Sequence, residues 1–456
     1  MTTEFVWDQK LIDKYNLSGP RYTSYPTALE FSANYTNADF EQALQKYPER
    51  PLSVYIHIPF CHTLCYFCAC NKVITRHIEK ADLYLDYLEK EFAYRAQQLA
   101  GRKVNQFHLG GGTPTYLVPA QMKRLMKMAH QYFTFTDDRE MGIEIDPRRI
   151  ELNYMDMLVE LGFNRISIGI QDFNPQVQEA VNRVQDAKFI TDLIQHSRDL
   201  GIDSINLDLI YGLPFQTVDT FKETLDQVIT LNPDRLSVFN YAHLPARVPG
   251  QAKIKDETLP SAATKLAIFE YSIKRLHQEG FAFIGMDHFA KPDNELAQAQ
   301  KAGILHRNFQ GYTTHGEADL VGFGCTSISM VGDTYAQNAK TTQEYYELID
   351  TQQQAIIKGF SLSKEDCLRR DIIKQIICNF SLDYAPFEKE YGINFKQHFA
   401  AELELLNTFI ADGIVVMHAD DSGFTIPENY KLFVRHVCMA FDEYSNLKRA
   451  SFSRIL

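Results

Sequence analysis

The sequence predicts an α/β protein with six βα units around a parallel sheet, an N-terminal arm, and a mostly α, winged-helix-like C-terminal domain. Three features carry this reading. From about residue 52, short β-rich runs alternate with amphipathic helical stretches, the pattern of repeated βα units. The polar and glycine-rich groups fall at or just after the ends of the β-rich runs, the rim on which parallel α/β barrels carry their sites. Beyond residue 360 the order changes to helix, helix, hairpin, helix.

Taken in chain order, residues 1–50 form the arm. Its stretch SGPRYTSYPTALEF, 18–31, is rich in turn formers and brings Arg21 among tyrosines, so an arm or loop is expected there. The central domain, 51–360, holds the strands Ser53–Ile58, Val104–Leu109, Gly142–Ile145, Arg165–Ile170, Ser204–Ile210 and Arg235–Asn240. Between the first two, Leu85, Leu88, Phe92 and Leu99 recur at near-helical spacing and Gly101 is the stop signal. Similar periodicity predicts helices over 119–133, 187–200 and 217–231. The C-terminal domain, 361–456, carries helices at 364–380 and 397–413, a hairpin in Val415–Ile426 around Asp421-Ser422-Gly423, and a helix from about Asn429. There is no internal repeat or low-complexity segment.

Composition limits the function. Of 456 residues, 45% are apolar, enough for a sizeable core and a smaller appended domain. The net charge of −12 argues against extended contact with nucleic acid or an anionic membrane, and against DNA binding by the winged-helix-like part. An anionic substrate needs a local basic pocket. No stretch approaches the roughly 20 apolar residues that span a bilayer, and MTTEFVWDQK lacks the marks of a leader peptide. A soluble, cytoplasmic monomer is expected. Four of the eight cysteines, Cys325, Cys367, Cys378 and Cys438, are scattered as buried apolar fillers would be.

The other four stand in CHTLCYFCAC. An iron–sulfur cluster needs thiolates that converge on one small cube, and Cys61, Cys65 and Cys68, spaced C-x3-C-x2-C, supply three. That leaves one iron open to S-adenosylmethionine (SAM), whose amino and carboxylate groups can chelate it. One electron then cleaves the sulfonium to a 5′-deoxyadenosyl radical. Zinc held by all four thiolates is the plainer alternative, but tetrahedral zinc sites usually come as two separated pairs. Cys70 is read as a non-ligand near the substrate, since a fourth thiolate would fill the open iron.

Around this run, alternation puts Tyr55 and His57 on one strand face and Ile56 and Ile58 on the other. Tyr55 can stack beside SAM or pack in the core. Phe67 can shield the adenine or serve as a hydrophobic lid. The glycine turn Gly110-Gly111-Gly112-Thr113-Pro114, about 40 residues beyond the cysteines, lets backbone approach a ligand and hold the SAM amino group. Glu144 and Asp146 in IEIDP are expected on one strand face, where a carboxylate accepts both ribose hydroxyls or is simply solvated.

The segments SGPRYTSYPTALEF, HIPFCHTLCYFCACN, HLGGGTPTYL, IGIQDFN, NLDLIYGLP, FNYAHLP, GMDHFA and HRNFQGYTT together resemble the radical SAM enzyme family of oxygen-independent coproporphyrinogen III oxidases, over nearly the whole chain. The resemblance implies a partial (β/α)6 radical SAM barrel with a C-terminal domain. It implies anaerobic conversion of coproporphyrinogen III to protoporphyrinogen IX in haem synthesis, two propionates becoming vinyl groups. It further implies a [4Fe-4S] cluster on Cys61, Cys65 and Cys68, and a first SAM contacted by Tyr55, Gly111, Glu144 and Ile328. A second SAM would be contacted by Phe67, Gly112, Thr113, Gln171, Arg183, Asp208 and Ala242. Ile328 rests on the resemblance alone, and Arg183 and Asp208 by themselves read as a helix-surface charge and a strand-end cap. Ala69 departs from the family's usual glycine, so the backbone there must avoid glycine-only angles.

On this reading Tyr55 and Cys70 are the catalytic candidates, and a low-potential electron donor such as flavodoxin or ferredoxin is required. The four substrate carboxylates ask for cations, for which Arg21, His306 and Arg307 are the candidates. The rival readings are a related radical SAM haem chaperone or anaerobic haem-degrading enzyme, and a non-enzymatic haem-binding protein with His57, His243, His288 or His306 as axial ligand. Most lone histidines are ordinary surface or packing residues.

Overall fold

Alternation along the strands decides what each face of the central sheet meets. In Arg165–Gln171 the isoleucines Ile166, Ile168 and Ile170 are buried while Arg165, Ser167, Gly169 and Gln171 between them are only partly covered. Ser204–Tyr211 repeats the pattern, with Leu207 and Leu209 buried and Asn206, Asp208 and Ile210 half-buried. Period-2 strands of this kind pack their apolar side against helices and leave a polar side for a ligand. The computed structural model describes residues 7–444; the outer ends of the arm and of the C-terminal domain, 1–6 and 445–456, lie outside the described residues.

The chain divides into two compact units: a sheet unit of residues 31–269 and 317–361, and a helical unit made from the rest. The sheet unit contains the six expected strands, β1 (Leu52–Ile58), β2 (Lys103–Gly111), β3 (Thr134–Ile145), β4 (Arg165–Gln171), β5 (Ser204–Tyr211) and β6 (Arg235–Asn240), each parallel to the next. A seventh parallel strand, β7 (Asp319–Phe323), lies on the other side of β1. It leads into three antiparallel strands, β8 (Ile328–Val331), β9 (Thr334–Asn338) and β10 (Ile356–Ser361). In this unit the order is β10-β9-β8-β7-β1-β2-β3-β4-β5-β6.

The helices form where the periodicity predicts them. Glu79–Gln98 buries Tyr84, Leu85, Leu88 and Phe92 on one stripe, each such side chain contributing about 1.5–3 kcal/mol by leaving water. Pro119–Tyr132, Ala187–Asp199 and Val218–Thr230 follow, the last two started by Asp186 and Thr217, whose side chains accept first-turn backbone N–H groups.

In the helical unit, Lys364–Asn379 opens on a capping box between Ser363 and Asp366 and buries Ile372, Ile373, Ile376 and Ile377. The expected hairpin is present as Val416–Met417 against Gly423–Thr425, and Ser381–Asp383 adds a third strand. After it comes a 3-10 turn, Glu428–Phe433, and then the helix Val434–Ala440. The arm is divided, its residues up to Glu30 belonging to this unit and 31–50 to the sheet unit. It begins with a helix the sequence did not announce, Gln9–Tyr15, capped by Asp8. Lys14 reaches Asp412 at 2.6 Å, Tyr22 donates to Asp442 at 2.8 Å, and the buried Arg435 donates to the carbonyls of Gly19 and Pro20.

Candidate active site

Parallel β1 and β2 bring the cysteine loop and the glycine turn together, because each leaves the same end of the sheet. Tyr55 stands opposite His108 and Ile58 opposite Gly111. Past Ile58 the chain runs through Pro59 into Phe60–Cys61, which pairs with Val73–Ile74 and so closes the cysteine loop at its base. Tyr66 N–H donates to the Val181 carbonyl at 3.0 Å and Asn182 Nδ2 donates to the Leu64 carbonyl at 2.8 Å. At the far end Lys72 Nζ donates to the Cys68 carbonyl at 2.7 Å. Ala69 is not among the residues with positive φ, so alanine is accommodated in C-x-C without strain.

The thiols sit among cations and hydroxyls. Cys61 Sγ lies 3.2 Å from Thr113 Oγ1, and Arg148 and Arg183 donate to Cys65 Sγ at 3.3 and 3.5 Å. Cys61 and Cys65 are buried, Cys68 is half-buried and Cys70 is exposed. Burial pushes the Cys61 thiol up to about 11, so it keeps its proton unless a metal replaces it. The Cys70 thiol donates to Cys68, which lowers the Cys68 pKa and raises that of Cys70. Among the described residues no three His, Cys, Asp or Glu side chains gather closely enough to chelate a single ion. A cube instead takes each thiolate at a separate corner, and three cysteines on one anchored loop with cationic neighbours fit that group.

The glycine turn is shaped by what surrounds it. A Cβ on Gly111, at φ +117°, would lie 2.6 Å from the His57 ring, and one on Gly112 would lie 2.6 Å from the Pro59 carbonyl oxygen. Gly111 N–H donates to Glu144 Oε2 at 3.1 Å. His57 is held on both nitrogens, by Tyr55 Oη at 3.1 Å and the Asn71 carbonyl at 3.1 Å. Tyr55 stacks on His108 with ring centroids 6.2 Å apart. Burial and then the Glu144 charge raise the Tyr55 pKa far above its ordinary value, so the phenol stays protonated. Tyr55 also stands in register with Gly322 of β7, against which the Ile328 carbonyl packs.

Glu144 and Asp146 do not act as the expected pair. Glu144 turns to the glycine turn, whereas Asp146 lies one residue past β3 and caps the 3-10 turn Pro147–Arg149. Its carboxylate takes Arg148 at 2.5 Å and Arg183 at 3.3 Å. Burial would raise its pKa, but the two guanidiniums hold it well below the carboxylate range. Arg183 is no surface charge: it is 7% exposed and spans Cys65, Asp146 and the Gly169 carbonyl. Gln171, at φ +68°, is partly covered, and its buried Oε1 has no partner. Asp208 is more than a strand-end cap, accepting from Ser167 at 2.9 Å and Asn206 at 2.8 Å. Burial, and the Glu144 charge after the lowering effect of Ser167, raise its pKa. Phe67 packs against the apolar cluster of Val177, Val181, Leu213, Tyr241 and Ile254, and its carbonyl accepts from Gln251, which also donates to the Ala242 carbonyl.

Arg21, His306 and Arg307 lie in the helical unit. Arg21 pairs with Asp287. Arg307 is buried over the Tyr312 ring at 4.8 Å, with no hydrogen-bond partner for Nε or Nη1. His306 packs against Gly316. Arg435, which no local pattern marks, joins them electrostatically: burial and then Arg21 push it down to about 9. Arg148 is in contact with Cys65, and its place two residues after Asp146 is its signal in the sequence. Asp287 is buried, which alone would raise its pKa, yet Arg21 and His288 hold it well below the usual range. A depressed carboxylate stabilises above its unfolded pKa of about 3.9 and loses that as pH falls. Asp287→Asn should therefore cost about 2 kcal/mol at neutral pH. Urea unfolding should show the difference shrinking as pH falls through about 4.

The Radical SAM superfamily matches residues 55–228. An Escherichia coli oxygen-independent coproporphyrinogen III oxidase is 55% identical over 452 residues, covering 99% of this chain and 98% of its own. The chain belongs to the oxygen-independent coproporphyrinogen III oxidase family. The enzyme of that name from Pseudomonas aeruginosa is 47% identical, with 99% of each chain covered. A solved structure of the Escherichia coli coproporphyrinogen III oxidase (HemN), described as a radical SAM enzyme, superposes with a TM-score of 0.93 at 53% identity, over 97% of this chain and all of its own. As family members do, this chain carries a partial radical SAM barrel and a helical C-terminal region, and its cofactors are a [4Fe-4S] cluster and SAM.

Proposed function

We propose that this protein oxidatively decarboxylates two propionates of coproporphyrinogen III to vinyl groups, giving protoporphyrinogen IX without oxygen. The observation that carries it is the meeting of the cysteine loop and the glycine turn: Thr113 on Cys61, Gly111 on Glu144, and Tyr55 alongside through His57. Cys61, Cys65 and Cys68 would hold the [4Fe-4S] cluster, which with SAM would supply the radical chemistry for removing hydrogen from a propionate β-carbon, CO2 and one electron then leaving the substrate.

The chain's own residues bind, orient and shield. Gly111 and Glu144 hold SAM at its polar ends, with Tyr55 and Ile328 as walls. Gln171 and Arg183, each with an unpartnered polar atom, and Asp208, with Phe67, Gly112, Thr113 and Ala242, offer the lining for a second SAM. Cys70 stays outside the ligand set, hydrogen-bonded to Cys68 and exposed. Arg307, buried with unpaired N–H groups, supports recognition of a substrate carboxylate, with Arg21, His306 and Arg435 beside it. A haem-binding role is not supported at His57 or His243, whose two ring nitrogens are both engaged.

The reading includes a cytoplasmic monomer served by a low-potential one-electron donor such as flavodoxin or ferredoxin; no helix among the described residues is long and apolar enough to cross a membrane. The test is anaerobic turnover of coproporphyrinogen III with SAM and a reductant. Two CO2 per tetrapyrrole are expected, and haem binding without CO2 release would sink the reading. Arg307→Gln should raise KM by roughly ten-fold or more, the worth of one charge-assisted hydrogen bond, with kcat less affected.

A further inference from the structure

A second surface adjoins the cysteine loop, and apart from Thr113 the proposed reaction leaves its lining unused. It is a pocket of about 230 Å³ bounded by His62, Thr113, Arg148, Arg149 and Val184 among others. Two of its lining residues touch the candidate cluster ligands: Thr113 contacts Cys61 and Arg148 contacts Cys65. Arg148 and Arg149 line it beside His62, whose ring packs on Tyr116 with centroids 4.4 Å apart, and Arg76 stands two residues past the strand Val73–Ile74 at the loop base. Arg76 and Arg149 are exposed, and neither makes an ion pair among the described residues. Asp146 is committed to Arg148 and Arg183, and Glu79 faces His77.

Beside these cations three apolar side chains are exposed, Ile74 at 43%, Ile78 at 37% and Val184 at 61%. Ile74 stands directly opposite Cys61 in the strand pair at the loop base. A cationic rim around exposed aliphatic groups is the anatomy of a transient protein interface. On a chain of net charge −12, unpaired arginines gathered at one spot need a reason. A small substrate would not use the exposed aliphatic groups.

We propose that this face, centred on Arg76 and Arg149 with Ile74 and Val184, docks an acidic one-electron carrier protein and admits its electron toward Cys61 and Cys65. The inference rests on the function proposed above, which requires such a reductant. At each encounter the carrier is oxidised by one electron and the cluster is reduced by one; no proton or group is transferred. Charge complementarity of this kind raises the encounter rate and falls with salt, while the aliphatic groups supply the contact that persists.

The probe is flavodoxin, with the cluster-loaded protein kept anaerobic. Arg76→Glu/Arg149→Glu is expected to weaken flavodoxin binding by roughly ten-fold or more at low salt, measured by titration calorimetry. Wild-type affinity should itself fall between about 0.03 and about 0.3 M salt, and the variant's should fall less. Lys222→Glu, an exposed charge reversal on the helix Val218–Thr230, should bind as wild type. Dithionite-driven SAM cleavage, which bypasses docking, should be unchanged in the double variant while flavodoxin-driven cleavage drops. The proposal is overturned if the double variant binds flavodoxin like wild type, or if dithionite-driven cleavage falls by the same factor. A wild-type protein that cleaves no SAM even with dithionite would instead defeat the proposed function itself.

Discussion

Cys65→Ser is expected to abolish the iron–sulfur absorbance of the reconstituted protein and to lower SAM cleavage by roughly a thousand-fold or more, with the fold intact. The reason lies in what Cys65 touches. Its sulfur is the shared acceptor of Arg148 and Arg183, which are themselves fixed on Asp146. Serine keeps the size of the buried side chain and an acceptor for those guanidiniums, so the local network survives. What disappears is a soft thiolate able to bind iron. Cys70→Ser is the control, since its side chain is read as lying outside the ligand set. It should keep its iron while losing turnover of coproporphyrinogen. Equal loss of iron in both variants would show that the three-cysteine assignment is wrong.

The six parallel strands were legible because each is a short run of β-formers that ends on a chemically distinctive group, and parallel order fixes where those ends meet. The seventh strand, Asp319–Phe323, was not legible: DLVGF is five residues with no flanking motif, and it belongs beside β1 only through pairing more than 250 positions away in the chain. The cysteine loop and glycine turn could be read as neighbours from the β1–β2 order alone. The partners of the carboxylates could not. Alternation put Glu144 and Asp146 on one face, but Pro147 starts a 3-10 turn that sends Asp146 toward Arg148 and Arg183. Arg183 follows a short helix, Pro175–Ala180, and only the folded chain turns it inward beneath the Gly169 carbonyl. Ile328 came from family resemblance alone, and its nearness to Tyr55 depends on that same unreadable strand.

Gly111→Ala is expected to weaken SAM binding by roughly a hundred-fold while leaving the cluster absorbance in place. At φ +117° an alanine is strained whatever the space, and here there is none, because its Cβ would lie 2.6 Å from His57. The ring cannot swing aside cheaply: one nitrogen is bonded to Tyr55 and the other to the Asn71 carbonyl at the exit of the cysteine loop. Relief must come from the turn itself, which pulls Gly111 N–H away from Glu144 and costs about 2–4 kcal/mol in strain and lost contacts. Gly101→Ala separates backbone strain from crowding, since Gly101 also has positive φ, +86°, but has nothing within 4 Å of its would-be Cβ. It should cost about 1 kcal/mol of stability and leave SAM affinity untouched. Equilibrium SAM binding, measured beside thermal unfolding, distinguishes the cases. If Gly111→Ala lowered the unfolding temperature but bound SAM like the parent, the turn would be a packing device between β1 and β2 and not part of the SAM site.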